Sequence, residues 1–219
     1  MQQGNMRLVA ALVVVAVAVA GVMVLLSQIG GGGSSEDLAG IPQDGTTLGE
    51  KDAPVMIKLY EDFQCPACGM FARDTLPQVI EDYVKSGKVK LVSETLTFIG
   101  PDSVPAARAA LAAGEQDRYW QYASLLFENQ GAENSGYVTE KFLNSLADQT
   151  KGLDVEEWNA ARKGSSTEEE LKAVQERAVK DKVQATPTLV ISGPGGERTL
   201  RGAVPVDEVG EAVEKVRGS

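Results

Sequence analysis

The stretch 60–71 reads YEDFQCPACGMF, and it contains the only two cysteines in the 219-residue chain. It lies between a run of β-forming residues and a stretch whose apolar residues recur every three or four positions. The first pattern predicts a buried strand from Val55 to Tyr60, and the second predicts a helix that begins at Pro66. Cys65 therefore falls where a strand gives way to a helix.

The position of Cys65 predicts its chemistry. Cys65 is expected to be the N-cap, with Pro66 at the first helical position, where the missing amide of proline costs nothing. The free amides and the positive end of the helix dipole then favour a Cys65 thiolate and lower its pKa. Cys68 lies one turn later and is expected to be more buried. The pair thus predicts an attacking sulfur at Cys65 and a resolving sulfur at Cys68, as exchange through a mixed disulfide requires.

Three other roles for the two cysteines remain as alternatives. A zinc site needs four ligands, and the chain has no other cysteine and no histidine. An inert disulfide across so short a loop restricts the unfolded chain little. The two cysteines could also be buried core thiols, but that role does not explain the proline between them at the start of a helix. Redox chemistry is therefore favoured, with no metal and no cofactor other than the Cys65–Cys68 disulfide itself.

The charge of the chain limits its partners. The formal net charge is −10, which disfavours nucleic acid and anionic lipid surfaces. The absence of histidine removes the commonest general base, so any chemistry must work without imidazole.

The amino-terminal segment predicts a membrane location. Leu8 to Leu26 carries no charge and, as a helix, spans ~28 Å, close to a bilayer's hydrocarbon core. Arg7 precedes this run and Glu36 is the first charge after it, which predicts a cytoplasmic amino terminus and an extracytoplasmic catalytic domain. Residues 1–29 are interpreted as a cytoplasmic stub and a single-pass anchor in the cell membrane. A cleaved signal peptide and a buried core helix are the alternatives.

The remaining chain predicts one folded region after a tether. Residues 30–47 are rich in glycine, serine and polar residues and are expected to be a flexible linker, so the domain is placed at 48–219. A second strand is predicted from Val89 to Leu96. Pro77 is expected to kink the first helix because it removes one backbone hydrogen bond.

A block of helices separates these strands from the carboxyl-terminal part. Residues from about 102 to 182 are rich in alanine, leucine, glutamate and lysine and are broken by capping residues, which predicts four or five helices. Tyr119, Trp120 and Tyr122 in this block are expected to pack in the core. The stretches TPTLVISG and ERTLRG, joined by GPGG, predict a tight hairpin, and a last amphipathic helix is predicted from Val206 to Val216.

Four stretches carry a family resemblance: YEDFQCPACGMF, GEQDRYWQYASLLFENQ, GLDVEEW and ATPTLVISG. They resemble the DsbA-like thiol:disulfide oxidoreductases over roughly residues 48–216. The resemblance implies an α/β fold of the thioredoxin type with an inserted all-helical subdomain. It also implies Cys65 as nucleophile, Cys68 as resolving cysteine, and Thr186–Pro187 as a cis-proline pair whose backbone faces Cys65 and binds an extended substrate.

Two positions depart from the family pattern. Oxidising members often have a histidine in the dipeptide between the cysteines, where this chain has Pro66 and Ala67. Many relatives carry a buried acid six residues before the nucleophile, where this chain has Leu59. Glu61 and Asp62 are the candidates for the missing proton relay, and the alternative for both is a solvated loop position.

The resulting functional expectation is a membrane-tethered oxidase. It donates the Cys65–Cys68 disulfide to reduced or misoxidised secreted proteins, and a membrane protein linked to quinone reoxidises it. The same residues are compatible with a disulfide reductase or isomerase. A third alternative is a non-enzymatic holdase or binding module in which the disulfide is structural.

Overall fold

The computed structural model describes residues 38–218. The predicted anchor at 1–29 and the first part of the predicted linker lie outside the described residues. Among the residues from 38 to 218, no helix has the length and apolar character needed to cross a bilayer.

A six-stranded sheet forms the centre of the described region. Its strands are β1 (Gln43–Asp44), β2 (Thr47–Leu48), β3 (Val55–Glu61), β4 (Val89–Thr95), β5 (Thr188–Gly193) and β6 (Gly196–Arg201). They lie in the order β1-β2-β4-β3-β5-β6, and only the β3–β4 pair among them is parallel. The predicted strands β3 and β4 are confirmed to within one residue, and the predicted hairpin is confirmed, with Gly193 opposite Gly196.

The folded region begins earlier than predicted. β1 and β2 form a hairpin within the stretch interpreted as linker, and β2 pairs with β4, with Leu48 opposite Leu91. Leu38 and Leu48 are both buried, and the Gly45 amide donates to Asp117 Oδ1 at 3.1 Å. The predicted boundary at residue 47 is therefore wrong, because a polar composition conceals two-residue strands that depend on long-range pairing.

The helix after Cys65, α1, is one helical run in four pieces. These are an α-helical piece (Pro66–Met70), a π-helical turn (Phe71–Thr75), a second α-helical piece (Leu76–Val79) and a second π-helical turn (Ile80–Val84). The Leu76 amide donates to the Phe71 carbonyl, five residues back, immediately before Pro77. Such a widened turn accommodates a residue that has no amide to donate, so the distortion predicted at Pro77 takes the form of a π-helical turn in a helix that continues beyond it.

The predicted helical insertion is confirmed with five helices between residues 103 and 180, all of which are described. They are α2 (Ser103–Gly114), α3 (Tyr119–Glu128), α4 (Glu140–Gln149), α5 (Val155–Ala161) and α6 (Ser165–Lys180), and the final helix is α7 (Val206–Arg217). Thr139 and Asp154 cap α4 and α5 by accepting bonds from backbone amides. Tyr119, Trp120 and Tyr122 are buried, as predicted.

The two faces of β3 meet different helices, since alternate strand residues point to opposite sides. Leu59 lies in the main core with apolar residues of α1 and α7, whereas Tyr60 packs against Val174 of α6. The same alternation brings Glu61 to the main-core side, at the end of the strand that leads to Cys65.

Candidate active site

Cys65 caps the first turn of α1. Its backbone is extended, and its Sγ accepts a hydrogen bond from the Cys68 amide at 3.4 Å. Pro66 follows at the start of the helix, as predicted. The Thr186–Pro187 peptide bond is cis, and the Cys65 thiol lies 3.4 Å from the Thr186 carbonyl oxygen, to which it donates. The fold thus brings together residues that are 121 positions apart in the chain.

The two thiols differ in acidity. A hydrogen bond from the Cys68 thiol is the largest cause that lowers the pKa of Cys65 to about 6, and bonds from the Thr186 side chain and the Cys68 and Ala67 amides add to it against the cost of burial. Burial, followed by the bond to Cys65, raises the pKa of Cys68. Near neutral pH the pair therefore holds one thiolate and one thiol.

The accessible surface of the pair follows the same order. Cys65 is 7% exposed and Cys68 is 1% exposed. The predicted order of burial is confirmed. Cys65 is nevertheless less accessible than a nucleophile at an open helix terminus, because the Thr186 backbone lies directly against it.

Glu61 is a buried carboxyl group close to the cysteines. It is 2% exposed and accepts a hydrogen bond from Ser93 Oγ at 2.7 Å. Burial is the main cause that raises the pKa of Glu61 to about 7, and the negative charge of Cys65 also raises it. Glu61 lines a cavity of about 260 Å³ together with Trp120 and Lys85. It can therefore gain or lose a proton near neutral pH, although the sheet and α3 surround it.

Asp62 has a different environment. It is fully buried, and its carboxylate accepts bonds from the Gln64, Phe98 and Ile99 amides and from Ser103 Oγ, at 2.7 to 3.2 Å. These bonds tie the segment before Cys65 to the start of α2. The alternative of a solvated loop position is wrong for both acids, since both side chains are buried.

Sequence reasoning missed three polar side chains of this site. Gln130 Nε2 donates to the Phe63 and Cys65 carbonyl oxygens at 2.9 and 3.0 Å, and a lone glutamine after a helix carries no signal of that role. Ser93 and Tyr119 both donate to Glu61. The burial of these two residues could be predicted from the sequence, but their hydrogen bonds to Glu61 could not. Side chains alternate between the two faces of β4, which places Ser93 on the buried face with Val89 and Leu91. A polar residue on a face that is otherwise apolar is the signal that could have pointed to Ser93.

The comparisons with known proteins agree with this geometry. The sequence model of the family described as Thioredoxin matches residues 42–215. The chain belongs to the thioredoxin family. Within the thioredoxin family it is a DsbA-like protein disulfide oxidoreductase. A probable disulfide bond formation protein D of Bacillus anthracis is 32% identical over 150 residues, which cover 67% of this chain and 69% of the relative.

Solved thioredoxin-family structures have the same fold. Oxidised BdbD from Bacillus subtilis superposes with a TM-score of 0.71 at 26% identity, covering 81% of this chain and 97% of that one. DsbA from Chlamydia trachomatis gives 0.68 at 23% identity, covering 78% and 91%, which supports the fold alone. Glu61 lies on the same face of β3 as Leu59, two residues nearer to Cys65.

Proposed function

We propose that this oxidoreductase donates the Cys65–Cys68 disulfide to exported proteins while residues 1–29 hold it in the cell membrane. The observation that carries the proposal is the placement of the two sulfurs: Cys65 caps the start of α1 and accepts from the Cys68 amide, whereas Cys68 is buried behind it. The pKa values of the two thiols shift in opposite directions accordingly. A stabilised Cys65 thiolate favours the reduced enzyme, and a disulfide whose reduced form is stable is a strong oxidant. The names of the Bacillus relatives, which refer to disulfide bond formation, support this direction.

The transfer proceeds in two exchanges. A client thiolate attacks Cys65 Sγ, the bond to Cys68 breaks, and Cys68 leaves with the electron pair. A second client thiolate then attacks the client sulfur of the mixed disulfide, and Cys65 leaves as a stable thiolate. The client loses two electrons and gains a disulfide, and the enzyme is left reduced.

The first exchange needs a proton donor, and in this proposal the donor is Glu61. Because the pKa of Cys68 is raised, the departing Cys68 thiolate needs a proton. Glu61, with its pKa of about 7, supplies that proton in this proposal and regains it afterwards. The Thr186 backbone, which faces Cys65, holds the client segment as an added strand.

Reoxidation completes the cycle. Two electrons must leave the Cys65–Cys68 dithiol after each turnover, and we assign them to a membrane partner linked to quinone. The clients are reduced or misoxidised secreted proteins, and the net charge of −10 gives no support for nucleic acid as a partner.

Trapping in cells tests the proposal. In the full chain, Cys68→Ala leaves the Cys65 thiolate alone, and this thiolate attacks a disulfide of an exported protein, forming a mixed disulfide and releasing one client thiol. No Cys68 thiol is present to reverse that step on the enzyme side, so these adducts should accumulate and be detected after acid quenching and alkylation. The double variant Cys65→Ala/Cys68→Ala is the control. Adducts no more abundant than in this control contradict client transfer. A wild-type pair found mainly reduced in cells contradicts the oxidase direction and indicates the reductase.

A further inference from the structure

Three hydroxyl groups meet beside Glu61 in the interior. The Tyr119 hydroxyl lies 2.6 Å from Ser93 Oγ and 2.6 Å from Thr95 Oγ1. Ser93 Oγ donates to Glu61 Oε1 at 2.7 Å, and the Tyr119 hydroxyl makes a longer bond to the same oxygen, to which it donates at 3.4 Å. All four side chains are at most 2% exposed, so they depend on one another for hydrogen bonds.

Each hydroxyl group has one hydrogen to donate, and this determines which groups in the cluster donate and which accept. Because Ser93 donates its hydrogen to Glu61, it accepts from Tyr119. The single Tyr119 hydrogen is then shared between Ser93 Oγ and the more distant Glu61 Oε1, and Tyr119 accepts from Thr95. The donors thus run from Thr95 through Tyr119 and Ser93 to the Glu61 carboxylate. Burial raises the pKa of Tyr119 well above its ordinary value, so its hydroxyl remains a donor at any working pH.

We propose that Tyr119 is a positioning residue that sets the charge of Glu61 through Ser93. The chain of donors favours the carboxylate, whereas burial favours the neutral acid, and a relay group must pass between the two forms at the working pH. Without Tyr119, Ser93 loses the donor that fixes its orientation, and Glu61 stays protonated to higher pH. The functional consequence rests on the proposed proton transfer from Glu61 to Cys68.

Other charged groups act on Glu61 as well. Asp62 adjoins it in the chain, Cys65 and Cys68 face it from the start of α1, and Glu81 and Lys85 of α1 line the same cavity. In the oxidised protein neither cysteine titrates. A change in the Glu61 midpoint that is seen only when one of the three hydroxyl groups is removed is therefore caused by the loss of that hydroxyl group.

Infrared titration of the oxidised full chain tests the inference, with Glu61→Gln to identify the carboxyl band. Tyr119→Phe should raise the Glu61 midpoint by about one pH unit, a tenfold change in proton affinity. Tyr122→Phe is the matched control, because Tyr122 is equally buried but donates to the Leu143 carbonyl oxygen at 2.9 Å. It should leave the midpoint unchanged. Equal midpoints in the two variants overturn the inference.

A double variant tests the route through Ser93. Ser93→Ala should raise the midpoint, and Ser93→Ala/Tyr119→Phe should raise it by clearly less than the sum of the two single shifts, because only the long direct bond from Tyr119 to Glu61 remains after Ser93 is lost. Additive shifts overturn the route through Ser93. If Tyr119→Phe does not fold, Thr95→Val, which removes the donor to Tyr119, should give a smaller shift in the same direction, and no shift overturns the inference. The titration uses no client, so a raised midpoint with unchanged disulfide transfer supports Tyr119 as a positioning residue and counts against the relay.

Discussion

At the scale of single residues, the acidity of Cys65 comes from donors placed around one sulfur. The helix start supplies the Cys68 and Ala67 amides, but the largest stabilisation comes from the Cys68 thiol itself. The sequence argument from the helix terminus is therefore right about the direction of the pKa shift and incomplete about its cause. The resolving cysteine also tunes the nucleophile.

This cause distinguishes two substitutions of Cys68. Cys68→Ala removes the donor and should move the pKa of Cys65 from about 6 towards its ordinary value of ~8.5. Cys68→Ser retains a hydroxyl donor and should keep the pKa well below that value. The pH dependence of iodoacetamide alkylation measures both. Identical midpoints mean that the capping amides, and not the side chain, set the acidity.

Glu61 predicts a pH dependence with a definite sign. In the proposed relay its protonated form donates to the departing Cys68, so its contribution is present below a pH of about 7 and is lost as the pH rises through that value. Reduction of the disulfide by a small thiol, corrected for the thiolate fraction of that thiol, should slow above this pH. Glu61→Gln should lower the rate at pH 6 by ~100-fold and abolish the pH step. A step that persists in Glu61→Gln excludes Glu61 as its source.

At the scale of elements, the helical insertion holds the strand-to-helix joint in place. Gln130, at the end of α3, bonds the Phe63 and Cys65 carbonyl oxygens. This contact favours a glycine on α1, because a Cβ at Gly69 would lie 2.3 Å from Gln130 Oε1 and the Gln130 side chain would have to move. The close approach of the Gln130 side chain to the backbone of α1 explains why a residue with low helix propensity follows Cys68 directly.

A double-mutant cycle tests that contact. Gly69→Ala should destabilise the oxidised protein by about 1–2 kcal/mol in urea, because it displaces Gln130 from two carbonyl groups. In the Gln130→Ala background the same substitution should be neutral or mildly stabilising. Gly114→Ala is the matched control, since its Cβ meets only ordinary contacts at 3.5 Å. Equal costs in both backgrounds contradict the coupling.

The elements also show what sequence reasoning can reach. Local periodicity determined β3, β4 and the helix after Cys65, because each depends on its own apolar pattern. The β1–β2 hairpin was missed since its pairing partner lies more than forty positions away, at Leu91. The Tyr119 hydroxyl was missed for a similar reason. The burial of Tyr119 was predictable from the spacing of apolar residues along its helix, whereas its hydrogen bond with Ser93 on β4 was not.

At the scale of the whole molecule, the sheet collects the site from distant parts of the chain. β3 carries Glu61 and leads to Cys65, β4 carries Ser93, and the loop before β5 carries Thr186. The sheet edge next to β4 is completed by the β1–β2 hairpin. The stability of the site therefore depends on residues of the β1–β2 hairpin, most of which were interpreted as linker from the sequence.

Two truncations test this dependence. A fragment that begins at residue 38 keeps Leu38 and Leu48 in the core, and one that begins at residue 49 loses both. The shorter fragment should be less stable by about 3 kcal/mol or more in urea unfolding, from the loss of two buried leucine side chains. Equal stability contradicts the structural role of the hairpin and restores the linker interpretation.

The reduction potential of the Cys65–Cys68 pair, equilibrated with glutathione in the full chain in detergent, shows whether this disulfide is an oxidant. A thiolate stabilised at Cys65 favours the dithiol form, so the potential should lie well above that of thioredoxin, ~−270 mV, and towards that of DsbA, ~−120 mV. A value at or below ~−270 mV contradicts the account, because a pair so reducing does not hand its disulfide to client proteins.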